Sequence, residues 1–161
     1  MYNLSTIETH DSAAMPGIKF RLKRITEPLR QEFRQEIANF NDQLEELGEE
    51  ATVLETPEQK KDPENRKRLR FLNREYNQII DQKINPAWIK SFLVDVSGLT
   101  VGGDELTTPD QIINQAPQAL YAEILSQIKE RAALGGAEVK NSESASTSSA
   151  PVDGPTASTT A

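Results

Sequence analysis

With 161 residues, 36% of them hydrophobic and 27% charged, the chain has material for one modest core and is too patterned to be disordered throughout. It contains no cysteine, which excludes disulfides, thiolate nucleophiles and zinc–thiolate sites and suits a reducing compartment. The 25 acidic residues outweigh 18 basic ones, and the resulting net charge of -7 repels polyanions at long range, arguing against general nucleic-acid binding.

Neither a run of about 18 apolar residues nor a basic start followed by an apolar stretch is visible, so membrane spanning and standard secretion are not expected and a cytoplasmic location is. Residues 1–16 are small and polar without a period and read as a flexible arm ahead of a single globular domain over 17–135. Within that domain Ile18, Phe20 and Leu22 alternate with Lys19, Arg21 and Lys23, the two-residue period of a half-buried strand with one basic face.

Thr26 stands where a helix cap belongs, followed by Glu27 and Pro28, which are favoured in a first turn. Leu29, Phe33, Ile37, Phe40, Leu44 and Leu47 then recur at spacings of three and four, and Gly48 supplies a stop. A second helix is predicted from the cap Asp62-Pro63, with Leu69, Leu72, Tyr76, Ile79 and Ile80 as its stripe and Asn85-Pro86 as its interruption. Glu45, Glu46, Glu49 and Glu50 crowd the end of the first helix, while Lys60, Lys61, Arg66, Lys67 and Arg68 crowd the start of the second. Each cluster opposes its own helix dipole, but an antiparallel pairing of the two helices brings them together and compensates both.

Beyond Trp88, the alternation of Phe92, Val94 and Val96 and the Gly102-Gly103 pair predict a small β-hairpin. Thr108-Pro109-Asp110-Gln111 fits a capping box for a short helix that pauses at Ala116-Pro117. A last helix buries Leu120, Tyr121, Ile124, Leu125 and Ile128, with Gly135-Gly136 as its expected end. Residues 136–161 are rich in Ser, Thr, Ala and Pro and read as a disordered tail. The fold class is thus α+β and predominantly helical: an antiparallel helix pair and a C-terminal helix, with a short N-terminal strand and a small hairpin.

Catalytic chemistry finds little footing in the residues. The one histidine, His10, falls in the arm and reads as solvated. The four glutamates near residue 48 diverge around a helix and form no calcium-loop pattern, and Gly98, Gly102 and Gly103 lack the lysine of a phosphate-cradling loop. No enzyme activity, cofactor or metal is therefore expected. The candidate contact residues are Lys19, Arg21 and Lys23 as a polar docking face, and Trp88 and Phe92 as core support or partner anchor.

The order Pro16-Gly17-Ile18-Lys19-Phe20, long helix, second helix reaching Trp88, Val96-Ser97-Gly98-Leu99-Thr100-Val101-Gly102-Gly103, Thr-Pro helix start and closing helix resembles tail assembly chaperones of long-tailed phages and prophages over Pro16 to Leu134. The resemblance implies a helper outside the virion that coats the tape measure protein and brings tail tube protein to it. A small nucleic-acid-associated regulator using the Lys19 to Arg24 face, or a minor structural tail component, is the alternative.

Overall fold

The computed structural model describes residues 6–145. Three strands, β1 (Ile7–Asp11), β2 (Lys19–Lys23) and β3 (Leu93–Ser97), form an antiparallel sheet in the order β1-β2-β3. Helices α1 (Glu27–Leu54) and α2 (Pro63–Ile79) form a hairpin, and α2 runs through a π-helical segment, Ile80–Ile84, into α3 (Asn85–Phe92). After β3 come the two-stranded β4 (Thr100–Val101) and β5 (Asp104–Glu105), then α4 (Pro109–Gln115) and α5 (Gln118–Ala145). The architecture is α+β and predominantly helical.

The core lies where the inner face of β2 meets the helices. Phe20 and Leu22 of β2 pack with Phe33 and Ile37 of α1, Ile89 and Phe92 of α3, and Leu120, Ile124 and Ile128 of α5. The last three recur every four residues, so a single stripe of α5 seals the core, and Tyr121 and Leu125 beside it stay half-buried. The sheet-facing side of α1 belongs to this cluster only as far as Phe40. The rest of α1 projects with α2 as a two-helix arm, closed by Ala51 and Leu72.

Local signals account for most helix starts. Asp62 accepts the amide of Glu64, and Thr108 and Gln111 complete the capping box. Gly102 and Gly103, with φ of 62° and 92°, provide the left-handed pair that a tight β4–β5 turn requires. Thr26 occupies the cap position of α1, but only its backbone carbonyl takes part, accepting from the Arg30 amide.

The structure departs from the sequence signals in four places. Residues 7–11 are strand, not part of a loose arm: β1 pairs along its length with β2, from Ile7 opposite Lys23 to Asp11 opposite Lys19. Gly48 does not stop α1, because Ala51 and Leu54 continue the stripe against α2, which outweighs a glycine cost of about 1 kcal/mol. Asn85-Pro86 does not end the helix. The winding loosens to π just ahead of Pro86, where its missing amide would break the α-helical ladder. Gly135-Gly136 does not end α5, whose backbone stays helical to Ala145, and Ala137, Glu138 and Lys140 are strong helix formers. Of the expected tail, 136–145 is therefore helical, and 146–161 lies outside the described residues, as does the start of the expected arm, 1–5.

Candidate binding surfaces

The basic strand face exists, but it is largely paired. Lys19, Arg21 and Lys23 all point outward from β2, which is the central strand and not an edge. Arg21 stands opposite Asp95 of β3 and makes a two-pronged ion pair with it. That pairing holds the Asp95 carboxyl below its ordinary range and raises the guanidinium. Lys19 lies 3.8 Å from Asp11 of β1. The neighbouring strands thus carry acids that answer the stripe. Lys23 instead borders a shallow cleft of about 550 Å³ together with Leu29, Glu32, Phe33, Glu36 and Ser91, in which the Ser91 hydroxyl donates to Glu36.

Trp88 and Phe92 build the core and do not form an exposed anchor. Phe92 is 1% exposed, and the Phe33 ring packs 4.1 Å from Trp88 and 5.2 Å from Phe92. This aromatic trio pins α1 to α3. Phe92 is out of reach of a partner, whereas Trp88 is half-buried at the margin.

His10, expected on a solvated arm, sits on the inner face of β1 against Phe20, with ring centroids 5.5 Å apart. Glu8, two residues earlier on the same face, pairs with Arg131 of α5, and Arg131 also approaches His10 Nδ1 at 3.4 Å. Burial and the Arg131 charge push the imidazole pKa down despite Glu8, so the ring is neutral at physiological pH. The trio fastens β1 to α5.

A second fastening lies at the β1–β2 turn, where the Glu123 carboxylate accepts from the Ser12 hydroxyl at 2.5 Å and from the Ala13 and Ala14 amides at 2.6 and 3.3 Å. Burial pushes this carboxyl up, but the three donors together hold it below its ordinary value.

A longer open surface runs along α5. Where α2 loosens into the π segment, a cleft of about 420 Å³ opens between Asp81, Asn85 and Pro86 on one side and Ile113, Tyr121 and Leu125 on the other. Ala122 and Leu125 belong to this cleft and also to a second, of about 590 Å³, that continues along α5 past Ser126, Lys129 and Glu130. Together they follow α5 for about three turns. Half-buried apolar side chains form the floor, and Asp81, Asn85 and Lys129 give a polar rim, with Lys129 Nζ donating to Asn85 at 2.9 Å. Burial and the Asp81 charge raise the Tyr121 hydroxyl pKa, so the phenol stays protonated as a donor at the groove wall. Only the Pro86 interruption signalled this place, since π turns recur at functional sites.

Among the described residues no group of three or more His, Asp or Glu side chains is placed to hold a metal ion, and no helix is long and apolar enough to cross a membrane. Compared with known proteins, the chain matches no family model, no curated protein and no solved structure.

Proposed function

We propose that this chain is a non-enzymatic binding module that shelters an amphipathic helix of a partner in the groove along α5, as a cytoplasmic helper of the phage tail-assembly class. The tape measure protein is the partner, and tail tube protein is recruited to the complex. One observation carries the reading: a groove about three helical turns long, lined by half-buried Tyr121 and Leu125 and by the polar groups of Asp81, Asn85 and Lys129, offers both apolar and hydrogen-bonding contacts to an amphipathic helix laid along it. The resemblance over Pro16 to Leu134 supplies the identity of the helix.

The test uses Ala122→Arg. Ala122 is exposed and lines both halves of the groove, so a long charged side chain obstructs it without entering the core. Titrated with a helical fragment of the tape measure protein, the wild type binds and the variant loses at least tenfold in affinity with an unchanged melting temperature. Undiminished binding by the variant removes the groove from the reading, and no binding by the wild type removes the tape measure protein.

A further inference from the structure

The two projecting helices carry opposite charge on opposite edges. At 100° per residue, Glu45, Glu46 and Glu49 fall within about 60° of the direction opposite the buried Ala51 of α1. By the same construction Arg66, Arg70 and Arg74 fall within about 60° of the direction opposite Leu72 of α2. All six side chains are exposed. The facing sides of the helices are already satisfied, since Arg68 of α2 meets Glu50 of α1 in a two-pronged pair at 2.7 and 3.0 Å.

None of the six outer residues joins an ion pair among the described residues. Arg66 donates to the Lys60 carbonyl, Arg70 to the Arg66 carbonyl, and Arg74 lies over the Phe71 ring at 5.7 Å. Each edge also shows a large apolar side chain: Val53, 64% exposed, on the acidic side, and Phe71, 40% exposed, beside the basic side. The arm is therefore self-complementary in charge and in apolar content, and the chain's overall net charge of -7 works at long range against a polyanion as the occupant of the basic edge.

We propose that the basic edge of α2 docks on the acidic edge of α1 of a second copy of this chain. Because the edges lie on opposite sides of one hairpin, each contact leaves one acidic and one basic edge free, so copies join head to tail into a ring or an open row. This holds whatever the α5 groove binds.

Sedimentation velocity on the full chain decides it. At low ionic strength the average mass of the wild type rises with concentration, and at about 1 M salt, where the Debye length is about 3 Å, it returns to monomer. The triple reversal Arg66→Glu/Arg70→Glu/Arg74→Glu has two acidic edges, and Glu45→Lys/Glu46→Lys/Glu49→Lys has two basic ones. Each remains monomeric alone, and mixing them restores assembly. Circular dichroism confirms that both stay folded, and if a reversal unfolds the chain, the matching glutamine substitutions must abolish assembly instead. A wild type that stays monomeric at every concentration, or a mixture of folded variants that stays monomeric, overturns the proposal. So does binding of a DNA duplex by the wild type that the arginine reversals abolish while its mass stays monomeric.

Discussion

Gly98 follows β3 at the end of the sheet where the β1–β2 turn lies, and substituting it separates conformational strain from steric contact. Its φ is +83°, and a Cβ built there lies 2.9 Å from the carbonyl oxygen of Gly17, a backbone atom that cannot swing away. Gly17 has nearly the same conformation, at φ +90°, but a Cβ there meets nothing within 4 Å. Placing an L-residue in the left-handed region costs about 1–2 kcal/mol, which both alanine variants incur. Gly98→Ala must in addition push the β1–β2 turn away from β3, an overpacking cost of about 1–3 kcal/mol. With a urea dependence of about 2 kcal/mol per molar, the Gly98→Ala midpoint falls by about 1–2.5 M and that of Gly17→Ala by about 0.5–1 M. Equal midpoints for the two variants would refute the close approach of Gly17 and Gly98 as the reason for glycine at position 98.

Phe92→Ala empties the centre of the aromatic trio and lowers stability by about 3–5 kcal/mol, and the emission of Trp88, the single tryptophan, reports the loosened packing in the same unfolding titration. Arg68→Glu replaces the Glu50 contact by repulsion across the hairpin, so its melting temperature falls at low salt and the deficit narrows at high salt, while equal deficits at both would remove electrostatics from the hairpin's stability. For Glu123 the folded pKa is depressed, so its contribution is present above the unfolded value and is lost as pH falls through the folded one. Glu123→Gln therefore melts lower at neutral pH and loses less on acidification than the wild type, as melting temperatures from pH 7 to pH 3 would show.

Features set by near neighbours in sequence were readable from it. The Thr108 to Gln111 box, the Asp62 cap, the Gly102-Gly103 turn and the stripe Leu120, Ile124, Ile128 each depend on residues within a few positions of one another. Strand β1 was hidden for the opposite reason. Its inner positions are Glu8 and His10, which read as solvent-facing until Arg131, more than a hundred residues away, provides their partner. The counter-charges of the basic strand face were hidden on the same ground, because Asp11 and Asp95 come from flanking strands whose pairing alternation alone does not specify. Trp88 and Phe92 were legible as core support, since Phe33 lies on the predicted stripe of the preceding helix, but their relative depth depends on how α3 is rotated.

That rotation follows from the segment between Pro63 and Phe92, which is one continuous helical path with a change of winding at Ile80–Ile84. A regular α-helix would ask Pro86 for an amide it lacks, and the looser π turn absorbs the defect without a break in direction. Helix α2 is therefore held in the body through Ile89 and Phe92 of α3, while α1 is held through Phe33 and Ile37. The arm is rooted on both legs, so its charged edges are presented at fixed orientation. The groove opens at the root beside Asp81 and Asn85, whereas Glu45, Glu46, Glu49, Arg66 and Arg70 lie on the projecting part. The two surfaces share no residue, so a partner helix in the groove and neighbouring copies along the arm can be accommodated together, and the sets of substitutions that remove each act independently.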